Sequence, residues 1–160
     1  MAAYISFQPT DFFSPKIYAG SASAVTVTGL DFQPDVTWTK DRQNTGYHAL
    51  IDSVRGAGKY LQPDNTSAQS DVANNCITSF TSDGFVTGTA APSNNSSSSG
   101  IGFISWNWKA GTTTGLSGGT ITPTGYSINT TSGFGVYEYT GTNVNATIAH
   151  GLGVAPKMVI

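Results

Sequence analysis

The chain has 160 residues and a formal net charge of -2, and only 10% of it is charged, against about 25% in an ordinary soluble domain. With no cluster of Lys or Arg there is no electrostatic footprint for nucleic acid, and no apolar run approaches the roughly 20 residues that cross a bilayer as a helix. A quarter of the residues are Ser or Thr, Gly adds 19, and 38% are hydrophobic with eight Phe, seven Tyr and three Trp. That composition predicts one all-β domain of short strands and many turns, with enough apolar mass for a core.

The lone Cys76 excludes an internal disulfide and any multi-cysteine metal site, which fits synthesis in a reducing cytoplasm. The opening MAAYISFQPTDFF lacks the basic start and apolar stretch of a signal peptide.

Residues 1–17 are aromatic, carry Pro9 and Pro15, and show neither alternation nor helical period. Phe7, Phe12 and Phe13 are too many large apolar groups for a free tail. They are expected to form an arm that docks on its own domain or on a partner. Residues 24–28 (AVTVT) and 36–39 (VTWT) then alternate with period two, and Gly29 and Pro34 shape the connection. Val36 and Trp38 are expected to point together into the core, with Asp35 capping the turn. Residues 47–54 (YHALIDSV) read equally as a strand or a short helical turn. In SVRG, Arg55 is placed to tie loops together through Asp52 or Asp83.

Further along, residues 76–80 (CITSF), a turn at 82–84 with Gly84 taking positive φ, and 85–87 read as strand, turn and strand, with Phe85 in the core. Residues 90–100 (AAPSNNSSSSG) read as a low-complexity surface loop. Residues 101–109 (IGFISWNWK) are apolar on both faces, so both faces are buried or one is covered by another chain. Lys109 has an aromatic face within reach of its stem. A turn-rich connector over 112–124 precedes a strand through Phe134, Val136, Tyr137 and Tyr139.

Tyr18, Gly20, Thr26, Gly29, Leu30 and Pro34 recur as Tyr139, Gly141, Thr147, Gly151, Leu152 and Pro156, a repeat of about 120 residues with one insertion. Gly and Pro at fixed offsets around a strand specify a turn that few other residues tolerate. Residues 139–160 are thus expected to open a second copy within a longer protein, or to close the sheet of a unit spanning 18–138.

Several runs are idiosyncratic: FQPTDFF (7–13), GLDFQPDVTWTKDR (29–42), YHALIDSVRGAGKYL (47–61), SFTSDGFVTG (79–88), WNWKAG (106–111) and HGLGVAPKMVI (150–160). Across nearly the whole chain they resemble a module common in tail and fibre proteins of bacteriophages, especially those of aquatic bacteria. The resemblance implies an antiparallel β-sandwich of jelly-roll or lectin-like type and a virion structural protein without catalytic residues. It further implies other virion proteins as partners and assembly of several copies, three if the chain is a fibre.

The chemistry-bearing residues agree with a non-enzymatic role. His48, Asp52 and Ser53 have the residue types of a hydrolase triad, but groups this close on one strand alternate faces and rarely converge. His48 and His150 are isolated, and the scattered Asp residues form no EF-hand loop, so neither metal nor cofactor is implied. Glu138 is the only glutamate, and no carboxylate pair for glycoside hydrolysis is evident. Trp38, Trp106, Trp108 and Tyr47 are the aromatics available to stack on a sugar, with Trp106 and Trp108 sharing a face, and Trp106, Trp108 and Tyr47 are the candidates for a glycan or subunit contact.

Overall fold

The computed structural model describes residues 8–71, 76–89 and 101–160. Phe7 and the low-complexity stretch 90–100 lie outside them. Eleven strands are formed among the described residues. They are β1 (Phe13–Ala19), β2 (Thr26–Val27), β3 (Val36–Asp41), β4 (Ala49–Asp52), β5 (Lys59–Tyr60), β6 (Ser70–Asp71), β7 (Ile77–Thr81), β8 (Gly84–Thr87), β9 (Gly102–Trp108), β10 (Gly125–Asn129) and β11 (Phe134–Glu138). All pairings between them are antiparallel.

The expected all-β sandwich is what the chain forms. One sheet has the order β1-β9-β3-β4 and the facing one β2-β8-β7, with two-stranded ribbons β5-β6 and β10-β11 beside them. Val27, Leu30, Phe32, Ala49, Ile51, Tyr60, Cys76, Ile77 and Phe85 form the apolar core. Tyr18 joins the layers, stacked on Phe103 of β9 (centroids 5.5 Å, 15°) and edge-on to Phe85 of β8 (5.9 Å, 79°). Burial pushes its phenol pKa up, with Cys76 adding to the shift.

Most of the predicted strands are present, and two departures have clear causes. Phe13 to Ala19, expected partly as an arm, is an edge strand paired along its whole length with β9. Pro15 is compatible with that place because an edge strand needs hydrogen-bond donors on only one side. Val36 and Trp38 do share a face, but it is the outer face of their sheet. The inward-facing positions of β3 are Thr37, Thr39 and Asp41, all buried, whereas Trp38 is half-buried. The ambiguous stretch 47–54 resolves as strand followed by turn, since β4 ends at Asp52.

The hydroxyl-rich composition is partly interior. Thr37, Thr39, Thr87, Ser105, Asn107 and Ser127 are fully buried. Asn107 accepts from the Thr37 hydroxyl (3.0 Å) and donates to the Ser14 carbonyl (2.8 Å) and Ser105 Oγ (3.0 Å), so its interior place carries no unpaired amide.

The repeat is visible in the backbone. Gly29 and Asp31 have φ of 79° and 63°, and Gly151 and Gly153 have 64° and 78°. Between each pair a leucine, Leu30 or Leu152, is buried. The two copies have different surroundings. The first loop enters the sandwich, while residues 139–152 dock on the connector before β10 and on β11. There Thr120 and Ile121 donate to the Thr147 carbonyl, and the Tyr137 hydroxyl donates to that of His150. No described residue of 139–160 belongs to a strand of either sandwich sheet.

Gly84 starts β8 where the backbone of the neighbouring β2 passes closest: a Cβ there would lie 2.0 Å from the Val27 carbonyl oxygen. Gly84→Ala is therefore expected to destabilise the fold by about 2 kcal/mol or more. Gly141→Ala, with no atom within 4 Å of its Cβ position, should stay within about 0.5 kcal/mol of the parent. Urea denaturation of both variants measures the difference.

Candidate functional site

Two features carry most of the polar and aromatic chemistry of this chain. One is a buried carboxylate at the start of β3. Asp35 Oδ1 accepts from Ser53 Oγ (2.7 Å) and Ser127 Oγ (2.9 Å), and Oδ2 accepts from the Ala110 amide (2.8 Å). Its own amide donates to the Trp108 carbonyl (2.8 Å), and its carbonyl accepts from the Ser53 amide (2.8 Å). Asp35 does more than cap a turn, because it joins β3, the end of β4, the end of β9 and the β10 strand.

The other feature is the outer face of the four-stranded sheet. Alternation in β9 sends Phe103, Ser105 and Asn107 inward and Ile104, Trp106 and Trp108 outward. Cross-strand partners continue that face: Pro15 and Ile17 on β1, Val36 and Trp38 on β3, Leu50 on β4. At one end the face is closed. Trp108 stacks on Phe134 of β11 (6.0 Å, 16°) and leans on Phe13 (5.1 Å, 47°), while Lys109 Nζ lies 5.9 Å from the Phe12 ring centroid. At the other end Trp106 meets Trp38 edge-on (6.2 Å, 70°), Trp38 Nε1 donates to His48 Nδ1 (2.8 Å), and Ile17 stands exposed.

The structure thus divides the residues that the sequence singles out. Trp106 and Trp108 share a face as expected; Trp108 stacks on Phe134 and leans on Phe13, whereas Trp106 meets Trp38, and both are half-buried. Tyr47 precedes β4 and is 52% exposed. Phe12 and Phe13 serve the chain's own sheet and line a cleft of about 290 Å³ with Pro9, Trp108, Gly133 and Phe134. Sequence reasoning placed Trp38 in the core and missed Ile17 as a member of the outer face. Period-two alternation through the β3-β9 register identifies the first and through the β1-β9 register the second, once β1 is known to be a strand.

The titratable groups are engaged separately. His48 holds Trp38, Ser53 holds Asp35, and Asp52 takes Arg55 Nε at 2.6 Å and the Arg55 amide at 2.7 Å. The same guanidinium donates to the Leu50 carbonyl and to Gln69. Of the two carboxylates in reach of Arg55 by sequence, Asp52 is the partner. Asp83 instead clamps the first repeat loop, accepting from the amides of Gly29 (2.9 Å) and Asp31 (2.8 Å). Among the described residues no group of three or more His, Cys, Asp or Glu is placed to hold a metal ion, and no helix is long and apolar enough to cross a membrane.

Together these features define an all-β module whose charged groups brace loops and whose aromatic groups are gathered on one sheet face. Residues 8–160 match the model of a family described as a domain of unknown function, DUF7483, and the chain belongs to that family. No curated protein and no solved structure matches it.

Replacing Asp35 by Ala leaves two hydroxyls and an amide without their shared acceptor, so a loss of about 3 kcal/mol is expected in chemical denaturation. Acid should also loosen the loops. The amides of Gly29 and Asp31 hold the Asp83 carboxyl below the usual carboxylate range. At Asp41 burial pushes upward, but hydrogen bonds from Asn44 and Gln43, with Lys40 beside them, outweigh it and also lower the pKa. For a depressed carboxylate the stabilisation is complete above its unfolded pKa of about 4 and is lost as pH falls through the folded value. Melting temperature should therefore hold steady down to about pH 5 and fall below about pH 4. Asp83→Asn should flatten that fall, and an unchanged acid limb in this variant would remove Asp83 from the account.

Proposed function

We propose that this chain is a non-enzymatic structural component of a bacteriophage particle, a tail fibre or tail-associated appendage. It works in the virion after assembly in the host cytoplasm, and its partners are other virion proteins and further copies of itself. The observation that carries this reading is the gathering of the half-buried Trp38 and Trp106 beside the exposed Ile17 on the outer face of the β1-β9-β3-β4 sheet, in a chain with so few charges. Contiguous apolar surface of this kind marks a protein-protein contact more often than bulk solvent exposure. The motif resemblance to phage tail modules supplies the particle. A capsid-decorating protein is the same chemistry in another place on the virion.

The N-terminal residues supply the anchor in this reading. The structure limits how much of them can be removed, because Phe13 to Ala19 is part of the sheet. Deleting residues 1–7 leaves β1 whole and should give a folded chain that no longer enters particles. Gold-labelled antibody should place the intact protein at tail or fibre positions. Complete absence from purified particles would refute the virion assignment, and tiling of the shell would select the decoration role.

A sugar-binding role draws on the same face, with Trp106 as stacking platform and Tyr47 nearby in sequence to β4. A glycan array comparing the parent with Trp106→Ala decides it: a hit that the substitution abolishes establishes host-surface recognition, and the absence of any hit leaves assembly as the role of the face.

A further inference from the structure

The two copies of the repeat use their tyrosine differently, and the difference leaves chemistry without a structural task. In the first copy Tyr18 is packed between the layers, against Phe103 and Phe85. Its counterpart Tyr139 is 53% exposed, and its side chain makes no ring contact or hydrogen bond among the described residues. It stands in the wall of a hollow of about 460 Å³ between Ile121 and the loop 139–148, lined also by Thr142, Asn143, Asn145 and Ile148. All of these residues belong to the continuously described stretch 101–160.

The hollow has a fixed frame. Tyr139 follows β11, where the Glu138 carbonyl accepts from the amide (2.8 Å) and the hydroxyl (3.1 Å) of Thr124. At the other end of the loop the Thr147 carbonyl accepts from the amides of Thr120 (2.9 Å) and Ile121 (3.0 Å), and the Thr147 amide donates to Thr120 Oγ1 (2.9 Å). Gly119 permits that approach, because a Cβ on it would lie 2.6 Å from the Thr147 carbonyl oxygen. Between these ties Asn143 takes a φ of 57°, a left-handed conformation that asparagine adopts more readily than most residues. A loop tied at both ends has little freedom left to lose when a ligand enters.

The lining selects the ligand. Ile121, Ile148 and the Tyr139 ring offer apolar surface, and the side-chain amides of Asn143 and Asn145 each carry two donors and an acceptor. Neither amide is engaged by a hydrogen bond among the described residues. No Asp, Glu, Lys, Arg or His lines the hollow, so a charged ligand would give up its hydration without meeting a countercharge. A ligand with an apolar face, and with edge groups that both donate and accept, is matched on each count. A neutral sugar ring has that form, and the volume lies within the range of small-molecule sites.

We propose that the hollow between Ile121 and the 139–148 loop binds a neutral sugar ring, with Tyr139 and the two isoleucines against its C–H face and Asn143 and Asn145 at its hydroxyls. The site shares no residue with the Trp106 face, and it holds or fails independently of the virion reading.

The test is an amide NMR titration of the chain with the methyl glycosides of glucose, galactose, mannose, N-acetylglucosamine, fucose and rhamnose, and with glucuronate as the charged control. At least one neutral glycoside should give saturable shifts in the millimolar range, largest at the side-chain amides of Asn143 and Asn145 and the backbone of 139–148. Tyr139→Ala and Asn145→Ala should each weaken that binding about tenfold or more. Both side chains are exposed, so both variants should melt with the parent. Absence of saturable shifts with all six neutral glycosides overturns the proposal, as does a response that survives both substitutions or one given by glucuronate alone. Shifts centred on the Trp106 indole would also overturn it, while supporting the sheet face as the sugar site.

Discussion

The carboxylate of Asp35 is the constraint on which the rest of the architecture depends. It stands one residue before β3, and β3 lies between β4 and β9 in the larger sheet. Anchoring the start of that strand sets the register of both neighbours at once. A carboxylate out of water is tolerated only when its lone pairs are satisfied, and here two hydroxyls and one amide from three separate segments do so. Satisfaction of one group thereby forces the ends of β4, β9 and β10 to one point. The β10-β11 ribbon is held to the sandwich by the same bond that completes the shell of Asp35, and Phe134 is brought over Trp108 as a result.

That anchor also explains an unusual division of polarity. Toward its Phe103 end, the inner face of the large sheet meets the apolar core. Toward the Asp35 end it is lined by Thr37, Ser105 and Asn107, which bond to one another and to the backbone of β1. Aromatic mass is displaced to the outer face, where Trp108, Trp106 and Trp38 run across β9 and β3. The hydrogen-bonded hydroxyls thus lie inside, and the half-buried indoles lie on the face turned away from the core. This ordering makes assembly a coherent reading of the fold, and it gives the low charge a use, since burying few charged groups keeps the desolvation penalty of association small.

Much of the fold was legible along the chain. Alternation at 36–39 and 101–109, and the turn before Phe85, located β3, β9 and the β7-β8 hairpin because those segments obey the period of their element locally. β1 was not legible: Pro15 within it and Phe12-Phe13 at its start mask alternation, and its strand character comes from pairing with β9, nearly ninety residues away in sequence. β10, between the 112–124 connector and the strand read through Phe134, was not singled out for the same reason. At the outer face, Trp106 and Trp108 could be placed on one side from spacing alone. That Trp108 meets Phe13 and Phe134 while Trp106 meets Trp38 could not, since those partners come from other segments.

The amino-acid sequence by itself determined the all-β class, the antiparallel strands of the middle of the chain, the repeated Gly-Leu turn and the pairing of Arg55 with a nearby carboxylate. Each of these depends on composition, on period or on neighbours within a few residues. Only the tertiary structure decided that Val36 and Trp38 turn outward, that Asp35 gathers three segments, and that Phe13 begins an edge strand. Those outcomes hinge on which distant strand lies alongside and which face it covers. A single strand's alternation says that two faces differ, and only the packing of the layers says which of them is inside.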